Sequence, residues 1–285
     1  MSTQKVILIT GASNGLGLSL AKAALAANHK VLATMRTPSS APTALTHPNC
    51  TIHPLDVTSP TLETDLEPCL ATYGHVDVLI NNAGYGYGGP LEDCDFDAAR
   101  KMFETLFWGP MRLSKALIPH FRAQGGGHIV NITSTEGISG QPALSFYSAS
   151  KHALEGASEA LAGELAPFGI KVIIVQPGGM RTGFMEPGRM SSSPVSKYYE
   201  NTPADWVMTA VRGMDGKQSL DPEKCARVIL EAVQGGGEGW SMGEFLRLPL
   251  GREFLGRWEG KMEMVGKNVR ALEGVARSAD FEEGK

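Results

Sequence analysis

The sequence has 285 residues, enough for one large α/β domain or two small ones with a substantial buried core. A hydrophobic share of 42%, a charged share of 20% and a formal net charge of −4 describe an ordinary globular chain, without the clustered Lys and Arg of a nucleic-acid footprint. The four cysteines and seven histidines show no CxxC, HExxH or other ligand spacing, so reduced thiols and no metal site are expected.

In chain order, Met1–Lys5 leads directly into Val6–Thr10, an apolar run far too short for a secretory core or a membrane span. Nothing later reaches spanning length, and a cytoplasmic protein without membrane contact is expected. Further β-branched runs follow at Lys30–Met35, Thr51–Leu55, Val76–Ile80, His128–Ile132 and Lys171–Val175. Each is nearly continuously apolar rather than alternating, as strands covered on both faces are. Helix-length segments lie between them at Leu16–Ala27, Thr58–Thr72, Phe96–Phe121 and Ser145–Ala166. The alternation predicts a single α/β domain over residues 1–285, a doubly wound Rossmann-type parallel sheet of about seven strands with helices on both faces.

After Val175 the rhythm breaks. Residues 178–220 are rich in Gly, Ser, Pro and Met, with aromatic residues at Phe184, Tyr198, Tyr199 and Trp206. A long irregular segment at the carboxyl end of a strand is a candidate substrate lid. Asp221-Pro222-Glu223 supplies an N-cap and a first-turn proline, and Ala226, Val228, Ile229 and Val233 give the helix that follows an apolar face. Gly235–Gly237 ends it, Phe245–Leu248 is a candidate last strand, and Arg252–Arg277 reads as a charged helix within a C-terminal extension, residues 251–285.

The chemistry begins after the first strand, at Gly11-Ala12-Ser13-Asn14-Gly15-Leu16-Gly17. A glycine-rich turn entering a helix suits a pyrophosphate, because the helix N-terminus offers free N–H groups and partial positive charge. The spacing is GxxxGxG, not a Walker loop. With the preceding threonine, Thr10–Gly17 resembles the TGxxxGxG opening of the short-chain dehydrogenase/reductase family. Asp56-Val57 resembles that family's adenine contact, and Asn81-Asn82-Ala83-Gly84 its NNAG signature.

The second strand ends in Met35-Arg36, where an NAD-selective enzyme carries an acidic residue for the ribose 2′-OH. A guanidinium there suits a 2′-phosphate, so NADP(H) is the expected cofactor. Tyr147-Ser148-Ala149-Ser150-Lys151 places a phenol and an ammonium four residues apart on one helix face. A free phenol has a pKa near ~10, and a neighbouring cation, helped by the cofactor's own positive ring, is expected to draw it down. Ser134, thirteen residues before Tyr147, lies at the end of the fifth strand, with Thr133 as the competing hydroxyl.

The resemblance implies that Ser134 polarises the substrate carbonyl, Tyr147 gives or takes the proton, and Lys151 also binds the nicotinamide ribose. It makes Pro177, Gly178 and Thr182 the stretch at the nicotinamide end. The implied cofactor contacts are therefore Gly11, Ser13, Asn14, Gly15, Leu16 and Gly17 in the loop, then Arg36, Asp56, Val57, Asn82, Ala83, Gly84, Tyr147, Lys151, Pro177, Gly178 and Thr182. The expected activity is reduction of a carbonyl, or oxidation of an alcohol, on a moderately apolar small molecule. By family habit, two copies pair through the helices at Phe96–Phe121 and Ser145–Ala166.

One position departs from the family pattern. Where relatives often carry an asparagine that keeps a water-linked proton path to the lysine, this chain has Leu106. That substitution raises the alternative of non-redox chemistry (an epimerase, isomerase or cyclase), and a nucleotide-binding protein without catalysis is a third reading. Glu136, two residues beyond Ser134, could also reach the pocket in a catalytic role, but loop carboxylates are more often solvated, and that is the expectation.

Overall fold

Val6–Thr10 forms strand β1, and all five residues are buried. In the computed structural model, which describes residues 4–186 and 189–281, it lies near the middle of a seven-stranded sheet. Residues 1–3, 187–188 and 282–285, which fall within the expected domain, lid and extension, lie outside the described residues. The other strands are β2 (Lys30–Met35), β3 (Cys50–Pro54), β4 (Val78–Asn81), β5 (Gly86–Gly88), β6 (Gly127–Ile132), β7 (Ile170–Pro177), β8 (Met190–Ser192), β9 (Gly236–Gly237), β10 (Trp240–Ser241) and β11 (Arg247–Leu250). The main sheet runs β3-β2-β1-β4-β6-β7-β11, with every neighbouring pair parallel.

Strand periodicity explains the two layers. Successive side chains point to opposite faces. Ile7, Ile9, Val31, Ala33, Val130 and Val175 therefore pack with the helices α1 (Gly15–Ala26) and, later in the chain, Pro222–Val233. Val6, Leu8, Leu32, Leu79, Ile129 and Val172 face the other way, against α2 (Leu62–Tyr73), a helix at Gly109–Ala123 and the end of one at Ser145–Leu165. These two are α4 and α5; α3 (Phe96–Phe103) precedes them and packs in a separate small cluster with Tyr87. Burial on both sides is why the inner runs are largely apolar, whereas β3, at the sheet edge, is only half-buried and carries Thr51 and His53.

The expected Phe96–Phe121 helix is broken. Glu104–Trp108 forms a π turn between α3 and α4, with Leu106 buried inside it. The stretch 178–220 is not wholly irregular either. Met190–Ser192 (β8) pairs in parallel with β5, and Pro203–Gly213 forms α6. The last strand is displaced from Phe245–Leu248 to β11, because Leu248 and Leu250 are the residues that turn inward while Phe245 stays 73% exposed.

Helix α7 (Pro222–Val233) starts as expected, the Asp221 carboxylate accepting from the N–H groups of Glu223 and Lys224. Helix α8 covers Arg252–Arg277, with Phe254 its buried residue. Among the described residues, no helix is long and apolar enough to cross a membrane.

Sheet order places the site. The chain runs outward from β1 to β3, then returns to place β4 on the other side of β1. The carboxyl ends of β1 and β4 therefore diverge, and a crevice opens between the loops that leave them.

Candidate active site

Gly11 and Gly15 hold φ of +67° and +52°, a region that disfavours side chains. Gly17 has another constraint. A Cβ there would lie 2.3 Å from the Gly11 carbonyl oxygen and 2.5 Å from Asn82 Nδ2. The turn thus closes tightly enough for α1 to start directly behind it. Asn14, the N-cap, makes no side-chain cap. Its Oδ1 instead accepts from Arg189 Nη1 at 2.8 Å. The first-turn N–H groups of α1 face the crevice without a side-chain cap or an acidic residue among them, which fits an anionic group.

The Asn81–Gly84 run braces this loop. Asn82 Nδ2 donates to the Thr10 carbonyl at 2.9 Å, while Thr10 Oγ1 accepts from the N–H groups of Asn82 and Ala83. Asn81 continues inward, donating to Asn131 Oδ1 at 2.8 Å. Asp56 Oδ1 accepts from Thr58 N and Oγ1, closing the turn after β3, and Val57 packs beneath Gly109. Arg36 is exposed at the rim, near Tyr85.

The carboxyl end of β6 turns Thr133 and Ser134 in opposite directions. Thr133 Oγ1 donates to Glu155 at 2.9 Å, whereas Ser134 lines the cleft with Tyr147, its Oγ accepting from the Glu136 N–H at 3.2 Å. Lys151 follows one turn later on α5. Its Nζ donates to the Ile132 carbonyl at 2.9 Å and lies 5.8 Å from the Tyr147 ring centroid. Burial draws the Lys151 ammonium down to about 8, against the pull of Glu155.

The Tyr147 phenol departs from expectation. Burial pushes it up, the neighbouring Ser134 hydroxyl opposes the rise, and the Glu136 carboxylate adds to it. Desolvation of the phenolate is the largest cause, and the Lys151 Nζ is engaged with the Ile132 carbonyl.

With the exception of Gly17, which lies beneath the loop, every residue implied as catalytic or cofactor-binding lines one cleft of about 1130 Å³. The lining also includes residues that the sequence did not flag. Met190 comes from β8, Val207 from α6, Met214 from the residue that caps it, and Glu253 and Arg257 from α8. Glu136 is a correction. Only 5% exposed, it accepts from Gln141 Nε2 and Ser148 Oγ at 2.7 Å each and pairs with Arg257. The pairing partner is 121 residues away, so no local pattern marked this carboxylate as buried. Leu106 packs beside Gly84 at the cleft wall, in an apolar cluster with Met102 and Tyr87.

Residues 5–191 match the family described as short chain dehydrogenase. The chain belongs to the short-chain dehydrogenase family. It is similar to the "Uncharacterized oxidoreductase YusZ" of Bacillus subtilis, 36% identical over 242 residues, covering 80% of this chain and 84% of that one. The "3-ketodihydrosphingosine reductase" of Bacteroides thetaiotaomicron is 42% identical over 183 residues, covering 64% and 66%. A solved short-chain dehydrogenase from Streptomyces avermitilis superposes with a TM-score of 0.88 at 36% identity, covering 98% of this chain and all of that one.

Two Burkholderia enzymes share the fold alone. One, from B. cenocepacia in complex with NADP, is 23% identical with a TM-score of 0.67, and covers 98% of each chain. The other, from B. phymatum in complex with NAD, is 22% identical with a TM-score of 0.73, covering 89% of this chain and 91% of that one. This short-chain dehydrogenase is therefore an oxidoreductase that acts on small molecules, a dehydrogenase or reductase with a nicotinamide cofactor. The non-redox alternative raised by Leu106 gives way to that assignment.

Proposed function

We propose that the enzyme is NADP(H)-dependent and interconverts a carbonyl and a secondary alcohol on a moderately apolar small molecule. The observation that carries this reading is the gathering of Ser134, Tyr147 and, one turn along, Lys151 in the same cleft as the uncapped start of α1. When bound, the cofactor supplies or accepts the hydride.

Each residue then has a role that its surroundings support. The first-turn N–H groups of α1, with Gly11 and Gly15 giving close approach, bind pyrophosphate. Arg36 at the rim grips a ribose phosphate. Ser134 orients the substrate oxygen toward the phenol. Tyr147 hands its proton to that oxygen in reduction and takes it back in oxidation. Lys151 holds the ribose and adds positive charge beside the phenol.

Residues 178–220 act as the lid. Arg189 reaches back to Asn14 in the phosphate loop, while Phe184, Met190, Val207 and Met214 give the substrate end apolar walls. Such walls exclude water and favour a ketone with a hydrocarbon body. The relative named as a 3-ketodihydrosphingosine reductase supports a keto substrate.

The deciding experiment is Tyr147→Phe, assayed by NADPH consumption against a panel of aliphatic and aromatic ketones. Turnover falls by about 10³-fold or more while NADPH binding is retained. Turnover equal to the unmodified enzyme overturns the assignment.

A further inference from the structure

Helix α8 lies wholly outside the segment that matches the family, residues 5–191, yet its first two turns reach the catalytic wall. Glu253 and Arg257 stand four residues apart, on one helix face. Glu253 Oε2 accepts from the Gly179 N–H at 3.0 Å, beside Gly178. Arg257 uses two nitrogens at once. Nη1 pairs with Glu136 Oε1, and Nη2 donates to the Ser139 carbonyl. The two backbone segments so gripped, 136–139 and 178–179, follow β6 and β7, the strands that lead into Ser134 and Pro177. Beyond these turns α8 is largely exposed.

The pairing is unlike a surface ion pair. Glu136 is buried and its other donors, Gln141 and Ser148, are neutral. A carboxylate taken out of water needs a counter-charge, and removing one partner of a buried pair costs far more than removing an exposed one. Arg257 is the cation that meets this need, and its fork geometry lets it fix the loop backbone at the same time.

We propose that Arg257 is a positioning residue for the reaction. Through Glu136 and Ser139 it holds the loop after Ser134 in place and balances the carboxylate beside Tyr147, while Glu253 pins α8 over the same end of the cleft. This rests on the proposed proton-transfer role of Tyr147. The groups that face Tyr147 are Ser134 from the end of β6, Glu136 from the loop and Lys151 from α5, with Glu155 behind the lysine. Arg257 and Glu253 come from α8, and Tyr85 and Tyr87 lie in the apolar cluster against the phenol ring. Of these, Glu136 and Arg257 form the pair whose balance sets the local charge.

The test uses the full chain in five forms: unmodified, Arg257→Met, Arg257→Lys, Glu136→Gln and the Glu136→Gln/Arg257→Met double variant. Arg270→Ala, on an exposed part of α8, is the control. Ketone reduction needs protonated Tyr147, so kcat falls as pH rises through an alkaline limb. Arg257→Met leaves Glu136 unbalanced, lowers kcat at least about tenfold and moves that limb to higher pH by about half a unit to one unit. Glu136→Gln moves the limb to lower pH. The double variant, with no charge on either side, returns it close to the unmodified position, and Arg257→Lys recovers part of kcat.

Hydrogen exchange, which needs no turnover, reads the clamp directly. Residues 134–141 and the start of α8 exchange faster in Arg257→Met than in Arg270→Ala. An Arg257→Met enzyme with an unchanged limb, or a double variant no closer to the unmodified enzyme than Arg257→Met, overturns the proposal. Should Tyr147→Phe keep its turnover, the proton-transfer reading fails separately. Exchange then decides the clamp, and unchanged protection in 134–141 overturns it.

Discussion

Thr133 Oγ1 shares its one hydrogen between the Glu155 carboxylate and the Val175 carbonyl, each at 2.9 Å, which commits this hydroxyl and leaves Ser134 as the hydroxyl that shares the cleft with Tyr147. The two adjacent hydroxyls should therefore respond oppositely to removal. Thr133→Val leaves Glu155 with Gln176 and Arg247, so it costs about 1–2 kcal/mol of stability and changes kcat by less than about threefold. Ser134→Ala changes stability little and lowers kcat by about 10²-fold. Paired denaturation and turnover measurements check both, and equal losses of activity would count against the division of roles.

Lys151 predicts a specific dependence of stability on pH. Burial draws its ammonium from an ordinary 10.5 down to about 8. Between those values the unfolded chain binds more protons at this residue than the folded one. Its contribution therefore improves as pH rises from 8 to 10.5, and the full penalty, at most roughly 3 kcal/mol, stands below 8. Lys151→Met lacks this term. Denaturant unfolding across the alkaline range should show a rise in the unmodified chain relative to the variant, and parallel curves would refute it.

Gly17→Ala tests the closeness of the loop. The added methyl meets the Gly11 carbonyl and the Asn82 amide, both already committed to bracing β1 against β4. Backbone must shift, at a cost of about 1–3 kcal/mol, and the phosphate cradle shifts with it. A lower melting temperature together with NADPH affinity weakened about tenfold or more is expected from calorimetry and fluorescence titration.

On the proposed NADP(H) reading, Arg36 is the residue that distinguishes the two nicotinamide cofactors. It is exposed at the rim, so Arg36→Ala leaves the fold intact. Loss of a charge-assisted contact to phosphate weakens NADPH by about 10- to 100-fold and leaves NADH nearly unchanged. Equal effects on both cofactors in binding titrations would place the arginine away from the 2′ position.

The parts legible in the sequence were those encoded locally. Apolar runs marked six of the seven strands of the main sheet to within a few residues, and Gly11–Gly17 and Tyr147–Lys151 keep their chemistry within a turn or a helix face. Leu106 was visible as a departure, but not the π turn that contains it, because nothing in Glu104–Trp108 breaks helical periodicity. Helix α6 was hidden by the Gly- and Ser-rich flanks around it. Thr202-Pro203 and the Val207, Ala210, Val211 and Met214 spacing were the available signals. Glu136 could not be placed, since its burial is set by an arginine at the far end of the chain.

The distance between that pair matters while the protein is being made. Synthesis proceeds from the N-terminus, so the phosphate loop and the Ser134, Tyr147 and Lys151 set all exist before residue 257 has emerged. In that interval Glu136 has only neutral donors, and the loop beside the phenol lacks its tether. A ribosome-bound chain is thus able to fold around the sheet and take up its cofactor first. On the roles proposed for Tyr147 and Arg257, its capacity for reduction matures after its cofactor site, arriving with the first turns of α8.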